Sequence, residues 1–190
     1  FKVELSASAA IERARRDSKW DELASAIETL SVARTQKCSA AHNGKRVQII
    51  QSQEEADSVH EDGRYLVQPP LVGRDAALLD NRLKQEKISC VVACREPSTK
   101  LGLCPIVALG SGVTVRVQVE EPKNPEKPTC AWFDHALEEL GDHIVDQAEK
   151  LNTPTRQLDF LLAHVAATPT HIGVYRAAIE RCSALSSGSV

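Results

Sequence analysis

The pattern of apolar and polar residues changes twice along the chain, so it divides the chain into two helical parts and a central sheet-forming part. Residues 6–36 are rich in Ala and predict an N-terminal helical hairpin. Ser18 and Asp21 fit a capping box, which would start the second helix near Asp17. One face of that helix is marked by apolar residues at spacings of three and four, namely Trp20, Leu23, Ile27 and Leu30.

Two short apolar runs with a helical segment between them predict a βαβ unit. Residues 64–68 are β-rich and end at Pro69-Pro70, which cannot donate to a sheet ladder. Asp75 is expected to cap a helix that reaches about Lys87, with Leu79 and Leu83 on one face. Residues 88–94 form a nearly continuous apolar run, as in a strand covered on both faces. The two strands are therefore expected to be parallel, joined by a right-handed crossover.

A hairpin is predicted after this unit. Residues 104–109 and 113–119 flank Gly110-Ser111-Gly112, and the second run alternates Val with Thr, Arg and Gln. This pattern is typical of two antiparallel strands that are joined by a glycine turn and have one solvent-exposed face. A dinucleotide-binding loop is rejected, because no third glycine follows and a strand comes where a helix is needed. Residues 47–50 are a further possible strand, ahead of the acidic stretch 54–57.

The C-terminal part has the clearest helical periodicity. After the proline-rich connection 120–128, Thr129 can cap a long helix in which Gly141 is expected to introduce a kink. Thr153-Pro154 and Thr168-Pro169 each put a capping hydroxyl before a proline and predict the starts of two more helices. The apolar positions of the long helix are Phe133, Ala136, Leu137, Leu140, Ile144, Ala148 and Leu151.

Together these elements predict an α/β or α+β fold. A small mixed sheet, made of the βαβ unit and the antiparallel hairpin, is flanked by the N-terminal helical hairpin and a C-terminal three-helix bundle. The expected segments are N-terminal helices 1–45, an α/β core 46–122 and a C-terminal helical region 129–190, packed as one compact unit. A chain of 190 residues with 42% hydrophobic content can bury such a core.

The distribution of charge along the chain limits the classes of binding partner that are expected. The net charge is −3. Residues 1–46 carry nine Lys/Arg against six acids, residues 47–128 ten against twelve, and residues 129–190 four against eight. No large basic face follows, so neither nucleic acid nor an anionic membrane is expected as the partner.

No targeting or membrane-spanning segment is predicted. No apolar run approaches 18 residues, and a charged start followed by an apolar core is missing at the N-terminus. The start at Phe1 suggests a processed or trimmed chain, in which a removed targeting segment would be invisible. Cytoplasmic localisation is expected.

Six cysteines raise the question of a metal site. Cys90 and Cys94 would share one face of a strand but lie about 13 Å apart, too far for one zinc ion. The cysteines are interpreted as small buried apolar residues in a reducing compartment. A second candidate, the stripe His135, Glu139, His143 and Asp146 on the long helix, is interpreted as solvated surface. No metal and no cofactor is therefore predicted.

A weak anion site is predicted beyond the carboxyl ends of the two parallel strands, where helix N-termini offer free N–H groups. Three cations and two hydroxyls would gather there. The alternative is a solvated loop with ion pairs, such as Arg95 with Glu96 or with Asp75. The candidate residues are Gly73, Arg74 and Asp75 after the first strand, and Arg95, Ser98, Thr99 and Lys100 after the second.

For every candidate catalytic group of residues, a structural role is the better interpretation. The chain is therefore expected to be a non-catalytic cytoplasmic domain that binds a protein. Its partner surface would be the N-terminal helices or an exposed edge of the hairpin, which could accept a peptide strand. The alternative is a small α/β enzyme or ligand-binding domain that holds a small anion near Arg74 and Arg95. An enzyme would need a converging pocket at those loops.

Overall fold

The computed structural model describes residues 1–44, 46–110 and 112–188. Ser111, in the predicted glycine turn, lies outside the described residues. The described parts contain seven helices and five strands. In chain order they are α1 (Lys2–Arg16), α2 (Trp20–His42), β1 (Val47–Ile50), α3 (Gln53–Asp57), β2 (Gly63–Val67), α4 (Gly73–Gln85), β3 (Cys90–Arg95), β4 (Leu103–Leu109), β5 (Thr114–Glu120), α5 (Cys130–Glu149), α6 (Pro154–His164) and α7 (Ile172–Ser187).

The strands form one mixed sheet in the order β1-β2-β3-β4-β5. The first three strands are parallel, and β4 and β5 pair antiparallel, which confirms the predicted βαβ unit and hairpin. Residues 47–50 are indeed a strand, and with α3 they add a second parallel crossover that the sequence did not predict. The helix α3 has only five residues, with Ala56 buried, and is too short to show a helical period.

Each face of the sheet has its own hydrophobic core. The helix α4 covers one face, where Ala76, Leu79 and Leu83 pack with Tyr65 and Cys94. The helices α2 and α5 cover the other face. This second core also takes in buried residues of α1, α6 and α7, so the two helical ends of the chain share it.

A buried arginine joins the N-terminal and C-terminal helices. Arg34 of α2 donates from Nε to Glu4 of α1 at 2.9 Å. Its Nη1 donates to the carbonyl of Val165 at 2.9 Å and to the hydroxyl of Tyr175 at 3.2 Å. The α1–α2 hairpin is thus tied by directional bonds to α7 and to the end of α6. The division into segments 1–45, 46–122 and 129–190 stays a prediction.

Two predicted helix starts in the first half of the chain are wrong. Ser18 has a φ of 54° and ends α1, so α2 begins at Trp20 without a side-chain cap. The backbone N–H of Lys19 instead closes the end of α1 by donating to the carbonyl of Ala14. In α4, Asp75 is the third residue and not the N-cap: its carboxylate accepts from the backbone N–H of Val72 at 2.8 Å.

Of the three predicted threonine caps, two are confirmed. The hydroxyls of Thr129 and Thr153 accept from the third residue of α5 and of α6. The third prediction is wrong, because α7 starts at Ile172 and is capped by His171, whose Nδ1 accepts from the N–H of Val174 at 3.2 Å. Thr168 and Pro169 belong to the preceding turn, where the Tyr175 hydroxyl donates to the Pro169 carbonyl at 3.0 Å.

Gly141 has a packing role inside α5, which is continuous from Cys130 to Glu149. A Cβ added at Gly141 would lie 2.0 Å from Cγ of His171. The glycine therefore allows the cap of α7 to lie directly on α5. Among the helices of the described residues, none combines the length and the apolar character that crossing a bilayer requires.

Candidate functional site

The first group of predicted anion-site residues lies at the start of α4. Gly73 opens the helix, and a Cβ there would lie 3.1 Å from Cδ1 of Leu109, so this turn of α4 sits against β4. Arg74 is exposed. The carboxylate of Asp75 is committed to the N–H of Val72.

Arg95 lies on the opposite face of the sheet from α4. Its neighbour Cys94 packs with the α4 core, and successive strand residues point to opposite faces. Arg95 is buried and donates to Oε1 of Gln68 at 2.6 Å and to the carbonyl of Pro125 at 3.1 Å. Among the described residues no carboxylate lies within 4 Å of it. The expected ion pairs with Glu96 or Asp75 do not form.

Two polar side chains of the loop after β3 form hydrogen bonds within the chain. The hydroxyl of Ser98 donates to the carboxylate of Glu121 at 2.6 Å. Thr99 Oγ1 accepts from the backbone N–H of Leu101 and of Leu103 at 3.3 and 3.2 Å, which closes the turn before β4. Lys100 is exposed. The seven predicted residues are therefore spread over both faces of the sheet and the loop, and none of them lines either of the two concave regions described below.

Gln68 was not predicted, and it is the polar residue nearest to Arg95 at the end of β2. Gln68 is 2% exposed, and its Nε2 has no hydrogen-bond partner among the described residues. Its Oε1 accepts a hydrogen bond from the Arg95 guanidinium. Turning the amide round would therefore place its NH2 group against the N–H donors of Arg95. A polar residue just before Pro69-Pro70, at the end of an apolar strand, is the sequence signal that could have singled it out.

A narrow crevice opens where β3 and β4 diverge. Their ladder has two pairs, Cys94 with Val107 and Arg95 with Ile106. Beyond these the strands separate, and Val92 and Leu109 line the gap. The enclosed space is about 30 Å³, which is room for about one water molecule.

The charged groups around this crevice are paired with one another. Lys37 is bound to Glu4 at 3.0 Å, and Lys84 is bound to Asp80. The thiol of Cys90 is 3.7 Å from Oδ1 of Asp80. Burial, reinforced by the charge of Asp80, raises the pKa of Cys90 to about 12, so the thiol is not a thiolate at neutral pH. These contacts join α1 to α2 and α4 to β3. The space of about 30 Å³ between them is too small for an organic substrate.

The sheet ends at β5, and this strand has an open edge. Its burial alternates, with Val115 and Val119 buried and the even-numbered residues exposed. Gly110 donates its N–H to the carbonyl of Val113. Hydrogen-bonded pairs alternate along an antiparallel ladder, so the odd-numbered residues of β5 bond to β4. The even-numbered residues direct their N–H and C=O groups away from the sheet.

A hydrogen bond from Trp132 agrees with the outward direction of the even-numbered residues of β5. Its indole Nε1 donates to the carbonyl of Glu120 at 2.8 Å and so occupies one of the outward groups. The outward N–H and C=O groups of Thr114, Arg116 and Gln118 have no recorded partner within the described part of the chain. About three residues of β5 therefore offer unpaired backbone.

A groove runs beside this edge, between β5 and α5. Its strand side consists of residues 116–118. Its helix side is acidic: residues 130–149 contain six carboxylates and no Lys or Arg. The groove-lining residues of α5 are Glu139, Asp142, His143 and Asp146.

Three of the four residues in the stripe that was interpreted as solvated surface line this helix side, namely Glu139, His143 and Asp146. Glu139 and Asp146 are exposed, and the His135 ring lies 3.8 Å from Glu139. The described residues contain no group of three His, Cys, Asp or Glu that could hold a metal ion. The sequence identified the stripe but not its position beside the open edge, because that depends on how α5 crosses the sheet.

Comparison with known proteins found no match for this chain among protein-family models, curated proteins or solved structures.

Proposed function

We propose that this protein is a non-catalytic binding domain that accepts an extended segment of a partner protein at the open edge of β5. The observation that carries the proposal is the row of outward backbone groups at Thr114, Arg116 and Gln118, beside a groove walled by α5. An added strand gains main-chain hydrogen bonds from such an edge, and the adjoining groove gives specificity for side chains. The six free cysteines favour a reducing, cytoplasmic setting.

Two other surfaces support the proposal less well. Val3, Leu5 and Val32 are exposed on the N-terminal helices, but single exposed apolar residues are normal on protein surfaces. At the other end of the sheet, β1 has four residues against seven in β5. Natural sheets protect their edges, and a short edge strand is one such protection. The longer β5 edge is therefore the better acceptor.

A selection from a library of random peptides tests the proposal, with binding to wild-type protein followed by removal of peptides that bind Gln118→Pro. The Gln118 N–H points outward, so proline removes one docking donor without breaking the β4–β5 ladder. Gln118→Thr keeps the N–H and is the matched control. Peptides that bind the wild type and Gln118→Thr but not Gln118→Pro are expected. Recovery of peptides that bind all three equally would contradict strand addition.

A second candidate function is the binding of a small anion beside Arg95. The observation that favours it is a buried guanidinium next to Nε2 of Gln68. In the part of the chain that the structure describes, the guanidinium has no carboxylate within 4 Å and Nε2 has no hydrogen-bond partner. Together these two donors would suit a phosphate or carboxylate oxygen.

Thermal unfolding in the presence of phosphate or acetate tests this second candidate. An anion at about 100 times its Kd should stabilise the protein by about 2.7 kcal/mol. In Gln68→Glu the new carboxylate would take the place of the anion, so the rise in midpoint should disappear. Equal shifts in wild type and Gln68→Glu, or no shift in either, would exclude the site.

A further inference from the structure

We infer that the segment bound at β5 is basic, with Lys or Arg at alternate positions. This inference rests on the proposed strand addition and names the chemistry of the partner. The outward backbone groups of β5 hold any extended chain, whatever its sequence. Discrimination between chains must come from the side chains that line the groove.

The groove has uncompensated negative charge. Three carboxylates line it, those of Glu139, Asp142 and Asp146, against one cation, Arg116. The guanidinium of Arg116 is 2.6 Å from a carboxylate oxygen of Glu96, so it is already neutralised. Asp146 has no ion pair or hydrogen bond recorded among the described residues. Asp142 has one oxygen 3.2 Å from the His171 ring, and Glu139 has one 3.8 Å from the His135 ring. An incoming cation would therefore meet three carboxylates of which none is paired with a Lys or Arg among the described residues.

The spacing of the carboxylates suits a strand. Glu139, Asp142 and Asp146 follow one another at three and four residues. One turn of helix advances by about 5.4 Å. Alternate residues of a strand are about 6.6 Å apart. Basic side chains at alternate positions of the added strand can therefore each approach one carboxylate of the wall.

The geometry of the sheet also determines which face of the added strand carries the basic side chains. Val115 and Val119 of β5 point into the core beneath α5. In an added strand, the residues that point the same way would lie against the side of α5, and these are the positions we assign to Lys or Arg. The intervening residues would lie beside Arg116 and Gln118 on the exposed face, where a further cation gains nothing.

A second copy of β5 fits this groove poorly. In β5 the residues on the α5 side are Val115, Val117 and Val119, so a paired copy would bring no cation to the carboxylates. It would also bring a second acidic α5 to the same edge. The charges thus favour a basic segment of another protein over self-association.

Defined peptides test the inference on the full chain. Three labelled peptides share the pattern Thr-X-Thr-X-Thr-X-Thr, with X as Lys, Gln or Glu, and binding is followed by fluorescence anisotropy. The Lys peptide is expected to bind about three- to tenfold more tightly than the Gln peptide at low salt, as two or three exposed charge pairs allow. The preference should shrink at high salt and in the double variant Glu139→Gln/Asp146→Asn. Glu12→Gln/Asp21→Asn, with both changes on the N-terminal helices, is the matched control for loss of charge.

The edge variants separate this inference from the proposed function. Binding of the Lys peptide is expected to be lost in Gln118→Pro and kept in Gln118→Thr. If all three peptides bind equally and Gln118→Pro abolishes binding, strand addition stands and the basic partner is overturned. If the Lys preference persists in Gln118→Pro, an acidic surface attracts the peptide without strand addition, and both proposals fail. If no peptide binds, the basic partner is overturned, and the library selection alone decides on the edge.

Discussion

Gly141 and His171 form a contact between single residues that sets how α5 and α7 meet. The Nδ1 atom of His171 accepts from the N–H of Val174, so the ring proton is on Nε2, which faces Glu138 and Asp142 at 3.2 Å. The ring occupies the place where a side chain at position 141 would lie. This close approach explains a glycine at a buried position in the middle of α5.

The substitution Gly141→Ala is expected to destabilise the protein by about 1–3 kcal/mol, because the added Cβ would overlap the His171 ring. At an ordinary mid-helix position the same change stabilises by about 1 kcal/mol. Urea unfolding measures the difference. In a His171→Ala background the sign should reverse, so that the double variant is more stable than His171→Ala alone. A rise in midpoint for Gly141→Ala in the wild type would contradict the described contact.

The thiols provide a second prediction about individual residues. Burial raises the pKa of Cys90 and Cys94 to about 12 and that of Cys104 and Cys182 to about 11. Cys38 is buried as well, and Cys130 is half-buried at the start of α5. An aromatic disulfide reagent at mildly alkaline pH should therefore modify Cys130 first, because the other five thiols are buried and burial raises the pKa of each. Cys130→Ser should remove the fast phase, and a fast phase that persists in this variant would contradict the burial of the other five.

At the level of helices and strands, the two Thr-Pro pairs are alike in sequence and different in structure. The Thr153 hydroxyl accepts from the N–H of Arg156 at 3.3 Å, whereas the buried Thr168 hydroxyl has no hydrogen-bond partner within the described ranges of the chain. Thr153→Val is expected to cost about 1 kcal/mol through the lost cap. Thr168→Val should be neutral or stabilising, because it replaces a buried polar atom without a partner by a methyl group. The urea unfolding midpoints of the two variants test this difference. Equal decreases in midpoint would show that the Thr168 hydroxyl is hydrogen-bonded as well.

For the molecule as a whole, Glu4 holds the arginine that joins the two helical ends, because its carboxylate accepts from Nε of Arg34. Burial raises the pKa of Glu4, but hydrogen bonds from Lys37 and Arg34 and their positive charges lower it by more, so the pKa lies below its ordinary value. A carboxyl whose pKa is lowered by folding stabilises the folded state above its unfolded pKa. This stability is lost as the pH falls through the folded value.

Unfolding free energy is therefore expected to fall as the pH decreases from about 5.5, with Glu4 as one contributor. In Glu4→Gln the loss over this range should be smaller, and the difference from wild type should narrow at the acid end. Urea titrations at a series of pH values measure both. Glu12→Gln, at an exposed position on α1, is the control and should follow the wild type. Parallel pH profiles for wild type and Glu4→Gln would contradict the role of Glu4.

Most elements of the fold could be predicted from the sequence because their signals are local. The alternating valines of β5, the apolar period of α5 and the caps Thr129 and Thr153 each depend on residues within one or two turns or strand steps. The short helix α3 and the starts of α2, α4 and α7 escaped prediction. The helix α3 is too short to show a helical period. At α2 the backbone turn that ends α1 replaces the Ser18 cap, at α4 Asp75 is the third residue, and at α7 the His171 side chain is the cap instead of Thr168.

The candidate sites could be predicted only in part, because their geometry depends on residues far apart in the chain. The sequence placed Arg95 at a strand end, but its partners Gln68 and Pro125 are 27 and 30 residues away. Whether Arg95 lies on the same face as α4 depends on strand register, and a shift of one residue reverses the face. The acidic stripe of α5 was visible as a stripe, yet its place beside β5 follows from the packing of a helix across a five-stranded sheet. Local periodicity thus determines which elements form, and the order of strands and the crossing of helices determine which side chains share a groove.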